Sequence, residues 1–219
     1  MFKNGWTNSQ KGLSLLELSI AMAIAAAIAI LQVKKNISDL EMDHLKTEST
    51  WVIGALDDIK AQLGQSADYS GLSDLTLGSI RSIPKSYIDS TNPGRTTVIN
   101  GFNGEIHAGP LGLDGVNNAF ALTYSGVSRD ACSKFVILLH AIAKTKAPTF
   151  SIVGEMGVSK SVPVVSLSEL SRLTLSPAGR SVLQYSGKED LDVLQLANFC
   201  SYIDATTSPL RSITLIRRP

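Results

Sequence analysis

The sequence predicts an α+β fold, with one long N-terminal α-helix packed on a mainly antiparallel β-sheet domain. Three observations predict it. Residues 13–33 form an apolar run whose only charge is Glu17. The helical pattern then continues through QVKKNISDLEMDHLKTESTWVIGALDDIKAQLGQ without a proline or a turn cluster. Beyond Gly64 the chain changes character, and turn-rich stretches separate short apolar segments. With 219 residues there is room for one ordinary domain and an additional element. The net charge of +1 is spread over scattered residues, which gives no sign of a nucleic-acid surface.

The first helix has two parts. At about 1.5 Å per residue, the apolar run just reaches across a bilayer core of about 30 Å. A cleaved secretory signal would be shorter and followed by a break, and here the helix runs on. From residue 34 to residue 64 it becomes amphipathic. Leu45, Val52, Leu56, Ile59 and Leu63 form one stripe, while Asp39, Glu41, Asp43, Lys46, Glu48, Asp57, Asp58 and Lys60 mostly occupy the other sides. Gly54 weakens the helix, and Gly64 with the following QSADYSG ends it.

The remaining elements follow in order. Residues 64–97 read as a loop with a short helix or turn within 72–83. TTVINGFNGEIHAGPLG reads as a hairpin, with Asn100-Gly101 as the preferred type I′ pair and Asn103-Gly104 as the second choice. NNAFALTYSGV reads as a strand. SRDACSKFVILLHAIAK reads as a helix capped by Ser128, with Phe135, Leu138, Leu139 and Ile142 on one face. TFSIVGEMG and VPVVSLS read as strands or extended pieces, SLSELSRL and KEDLDVLQLANFC as helices, and SITLIRRP as an alternating strand.

Lys11-Gly12-Leu13-Ser14-Leu15-Leu16-Glu17 ahead of an apolar run resembles the class III signal of type IV prepilins. The order KGLSLLE, YSGL, SIPKSYIDSTN, NGEIHAGP, NNAFALT and DAC is similar to the bundle-forming pilin type, in the type IVb branch, over roughly the first 135 residues. That resemblance implies the pilin fold and a division into a leader (1–12), a membrane or fibre-core helix (13–33), its amphipathic continuation (34–64) and a head domain (65–219). It implies cleavage by prepilin peptidase between Gly12 and Leu13, N-methylation of Leu13, and an assembly charge pair between Glu17 and the Leu13 ammonium of a neighbouring copy. It implies a disulfide between Cys132 and Cys200. Implied partners are further copies of the chain in a helical homopolymer, the peptidase, an inner-membrane assembly platform, and the membrane itself before assembly. The fibre would serve adhesion or cell aggregation. Lys3 and Lys11 precede the span, which places the N-terminus in the cytoplasm and the head in the periplasm, and later in an extracellular fibre.

The residues also bear on other classes. His44, His107 and His140 are isolated in sequence, and no H-E-x-x-H, G-x-S-x-G, P-loop or G-x-G-x-x-G motif is present. Asp114 reads as a turn residue, and Glu189, Asp190 and Asp192 as a solvated helix face. No catalytic residue, metal or cofactor is expected. Two alternatives stay open: a minor pilin or secretion pseudopilin with the same N-terminus, and an uncleaved membrane-anchored periplasmic enzyme or binding protein.

Overall fold

The computed structural model describes residues 15–64, 68–89, 96–113, 116–146, 150–161, 180–184, 190–202 and 209–217. The chain divides into two compact units, residues 1–43 and 44–219. Helix α1 (Leu15–Leu63) is continuous over 49 residues, as the unbroken helical pattern requires. The division falls within α1, where side-chain exposure changes from open to buried.

In the second unit, the described strands form one antiparallel sheet in the order β1-β2-β3-β4-β7-β5-β6. The strands are β1 (Ile88–Asp89), β2 (Thr97–Ile99), β3 (Glu105–Leu113), β4 (Val116–Ser128), β5 (Phe150–Met156), β6 (Arg180–Gln184) and β7 (Leu210–Arg217). The final strand, SITLIRRP in the sequence reading, lies inside the sheet between β4 and β5. Its alternation sends Arg211, Ile213, Leu215 and Arg217 to one face, level with Phe120, Leu122 and Tyr124 of β4. That face shares a single apolar core with Leu45, Val52, Ile53, Leu56 and Ile59 of α1. The described residues of the unit also form the shorter α-helices α2 (Asp74–Leu77), α3 (Arg129–Lys146) and α4 (Val193–Ser201).

Local chemistry explains most boundaries. Ser128 caps α3 by accepting from the Ala131 N–H at 3.3 Å. Phe135 and Leu139 of the expected face are fully buried, with Leu138 and Ile142 partly so. α2 begins with a capping box between Ser73 and Thr76. Gly54 is open enough for Ser82 to pack against the helix, since a Cβ there would lie 3.3 Å from the Ser82 Oγ. The Asp58 carboxylate accepts from both the Ser82 N–H and its hydroxyl, tying the connection after α1 back onto the helix.

Several expectations need correction. The β2–β3 hairpin does not turn on a type I′ Asn100-Gly101 pair. Its loop spans residues 100–104, and the left-handed residue is Asn103, at φ 60°. Asn100 instead organises the loop. Its Oδ1 accepts from the Phe102 and Gly104 N–H groups, and its Nδ2 donates to the Ser125 carbonyl at 2.7 Å. The helix read from KEDLDVLQLANFC starts only at Val193, because Asp192 is its N-cap and accepts from the Gln195 N–H. Asp192 is therefore a cap and not part of a solvated helix face. β4 is buried on both faces, with Ala119, Ala121 and Thr123 closed off opposite the main core. The stretches VPVVSLS and SLSELSRL, together with Gly12, Leu13, Asp114 and Glu189, lie outside the described residues.

Candidate assembly segment and its anchorage

The first part of α1 is long and apolar enough to cross a membrane, and none of its most apolar 18-residue window is buried. Leu18, Ile20, Met22, Ile24, Ile28, Ile30, Leu31 and Val33 all stand exposed. Their periodicity runs around the helix without a polar face, so no single side could be hidden against one small domain. Such a surface must be covered by lipid or by other protein. Glu17 lies in the first turns of this helix. Lys34 and Lys35 follow the apolar run, and Asp39 stands one turn later, all exposed.

Beyond His44 the same helix buries one face. Leu45, Val52, Ile53, Ala55, Leu56 and Ile59 have no exposed surface. Ser49 satisfies its hydroxyl by donating to the Leu45 carbonyl at 2.7 Å. Glu48, which sequence periodicity assigns to the polar side, is fully buried. It survives there because donors surround it. Trp51 Nε1 donates to its Oε2 at 3.0 Å, the Tyr87 hydroxyl donates to its Oε1, and His44 Nε2 lies 3.7 Å away. Burial pushes the Tyr87 hydroxyl up to about 12, with the Glu48 carboxylate adding to the shift. Gly101 closes the pocket. A Cβ at that position would lie 2.3 Å from the Glu48 Oε1 and 2.4 Å from the His44 Nε2, so a side chain at residue 101 would displace the Glu48 and His44 side chains.

A disulfide joins Cys132 in α3 to Cys200 in α4 across 68 positions of sequence. Arg211 supports the same end of α4. It is 1% exposed, and its guanidinium donates to the carbonyls of Phe199 and Tyr202 at the helix C-terminus. It also lies over the Phe199 ring, 5.8 Å from the centroid. Phe199 in turn sits on Gly154 of β5, where a Cβ would come within 2.5 Å of the ring. A cation at a helix C-terminus complements its exposed carbonyls. The last strand thus positions the helix that carries Cys200. At the other end of β7, Arg217 is paired with Asp57 of α1.

The histidines do not form a reactive centre. His107 is buried between Asp74, 2.9 Å from its Nδ1, and Glu105, whose Oε2 lies 3.4 Å from its Nε2 but outside hydrogen-bonding geometry. His140 lies on α3. Among the described residues, no group of three or more His, Cys, Asp or Glu side chains is arranged to hold a metal ion.

Sequence reasoning missed Glu48, Tyr87, Gly101 and Arg211 as a support for this segment. Arg211 left a signal, since it shares its parity in β7 with Ile213 and Leu215 and so must face the core. The grouping of Glu48, Tyr87 and Gly101 left none, because their meeting depends on the tertiary fold.

The chain is 29% identical over 131 residues to the major structural subunit of bundle-forming pilus from Escherichia coli O127:H6 (strain E2348/69 / EPEC), and equally to that of Escherichia coli O111:H-. The match covers 59% of this chain and 65% of those relatives. The resemblance to bundle-forming pilin read from KGLSLLE and the later motifs is thereby borne out. A crystal structure of type IV b pilin from Salmonella typhi aligns over 82% of this chain and 98% of that one, with 14% identity and a TM-score of 0.41. The family model described as PilS N terminal matches residues 43–162, more than half of the chain, and the chain belongs to that family.

Proposed function

We propose that this chain is a structural subunit of a type IVb pilus. The observation that carries the reading is the first part of α1: an apolar helix, exposed on every side, continuous with a helix that is buried in a disulfide-bonded head. A membrane can cover that surface before assembly, and other copies of the chain can cover it afterwards. The role of the bundle-forming pilus relatives as major structural subunits supports the same conclusion.

In this reading the prepilin is held in the inner membrane with its N-terminus in the cytoplasm and its head in the periplasm. Prepilin peptidase removes residues 1–12 by cutting after Gly12 and methylates the new amino terminus at Leu13. Residues 13–33 span the membrane, 34–64 continue the helix, and 65–219 form the head. An assembly platform then moves subunits into an extracellular fibre used for adhesion or cell aggregation. Glu17 has a cost in lipid, where a central carboxylate is disfavoured by about 3 kcal/mol or more. In the fibre it pairs with the Leu13 ammonium of a neighbour. A buried pair contributes little net stability but is costly to break, so it fixes register.

The test is mass spectrometry of the protein sheared from the cell surface. An abundant peptide starting at N-methylated Leu13 is the expected result. A chain found only in membranes, still starting at Met1, would overturn the reading in favour of an uncleaved anchor.

A further inference from the structure

We propose that Lys34 and Lys35 of one copy pair with Asp39 of the next copy in the fibre, forming a second charge register beside the one made by Leu13 and Glu17. This rests on the fibre reading above. Three observations lead to it. First, the two lysines are at the wrong end of the apolar run. Positive charges flanking a span are retained on the cytoplasmic side, so a lysine pair at the exported end works against the topology that Lys3 and Lys11 favour. Second, Lys34, Lys35 and Asp39 are exposed and make no ion pair among the described residues. Lys35 and Asp39 are four residues apart on one helix and still do not pair. Their order, cation before anion, is the less favourable one for a contact within a helix.

Third, the spacing repeats. The Leu13 ammonium precedes Glu17 by four residues, and Lys35 precedes Asp39 by four. At about 1.5 Å per residue a spacing of four in a helix, such as Lys35 to Asp39, is about 6 Å along the axis. A neighbour displaced toward its own N-terminus by that amount brings its Glu17 level with Leu13 and, by the same displacement, its Asp39 level with Lys35. Lysine side chains are long enough to keep the second pair in reach over a range of staggers, and Asp43 lies one further turn along. Both charge pairs have the same polarity, so they select the same direction of stagger. The apolar run between them carries no charge that would contradict it. Glu17 and the amino terminus fix the register at one end of the apolar contact, and the lysines fix it at the other.

Charge reversal with rescue tests this in the full-length chain expressed in cells that assemble the fibre. Sheared fibre yield is measured against the membrane pool by immunoblot, over a range of NaCl concentrations. The double variant Lys34→Glu/Lys35→Glu should lower fibre yield at least about fivefold, the effect of about 1 kcal/mol at each junction. Adding Asp39→Lys to it should restore most of the yield. Failure of the rescue, or a double variant with normal yield and normal salt sensitivity, would overturn the register. If the glutamates deplete the membrane pool, Lys34→Gln/Lys35→Gln serves instead. It should give fewer fibres with a weaker salt dependence, and an unchanged yield would overturn the register. These results differ from failure of the fibre reading itself, in which the wild-type chain would yield no sheared fibre at all.

Discussion

The two parts of α1 share one backbone and differ in what surrounds them. Ile30 is 68% exposed, and Leu56 is 0% exposed. Neither position differs much in helix propensity, so propensity does not explain why the helix persists in both. In the second part, tertiary packing holds it: the stripe from Leu45 to Ile59 meets β4 and β7, Asp57 holds Arg217, and Asp58 holds Ser82. In the first part no described residue does this work. A helix of alanine, isoleucine and leucine in lipid is held by its own hydrogen bonds, because lipid offers the backbone no alternative. In the proposed reading one element serves two solvents, and its sequence changes from apolar all round to apolar on one side where the solvent would change.

Experiments can break that comparison, and the largest effect belongs to the head alone. The disulfide closes a loop of 68 positions, for which the chain-entropy account gives about 4 kcal/mol. Cys132→Ser should lower head stability by about that amount. The loss is read as a shift of the denaturant midpoint of the detergent-solubilised protein. An unchanged midpoint would mean that Arg211 and Phe199 hold α4 without the bridge. Next is Leu56→Ala. It removes a fully buried side chain from the core shared by α1 and the sheet, and should cost about 3 kcal/mol by the same measurement. A cost below about 1 kcal/mol would show that α1 contributes little to the head.

Alkali provides a smaller and more local probe. The Tyr87 pKa is raised to about 12 in the folded protein, from an ordinary value of about 10. A group whose pKa is raised by folding stabilises the protein fully below its unfolded value. That stabilisation is lost as pH rises through the folded value. The Tyr87 contribution is therefore intact below about pH 10 and lost toward pH 12. Tyr69 is raised as well, by burial, so some alkaline loss remains without Tyr87. Tyr87→Phe should lower the melting temperature at neutral pH by removing one donor from Glu48. It should also flatten the fall between pH 10 and 12 relative to wild type. Parallel curves for the two proteins would show that the Tyr87–Glu48 contact does not titrate in this range.

Much of this was legible in the sequence, for physical reasons. α1 was visible because it lacks proline and keeps one apolar stripe through residue 63. β7 was visible because alternation over LRSITLIR leaves a period of two. β6 was not, because RSVLQ is too short to show a period, and β1 exists only as two residues paired to β2. The turn position in the β2–β3 hairpin was misread because two Asn-Gly pairs compete, and the deciding contact, Asn100 to the Ser125 carbonyl, comes from β4. Glu48 was assigned to the polar side because periodicity treats a carboxylate as a surface group. Its donor Tyr87 lies 39 positions away and becomes a neighbour only after folding.

The smallest expected effect on the head returns to the first part of α1. Ile30→Ala removes apolar surface that no described residue covers, so the denaturant midpoint of the solubilised protein should move by less than about 0.5 kcal/mol. The same substitution should still reduce fibre yield, because in the fibre that side chain is covered by a neighbouring copy. Each lost methylene forfeits roughly 0.8 kcal/mol of burial at every subunit junction. The two readouts separate what holds the head together from what holds copies to one another. A clear loss of head stability would show that residue 30 packs within the chain. An unchanged midpoint with unchanged fibre yield would show that this side of the helix stays uncovered after assembly, and the fibre core would then have to be built on another side of the same helix.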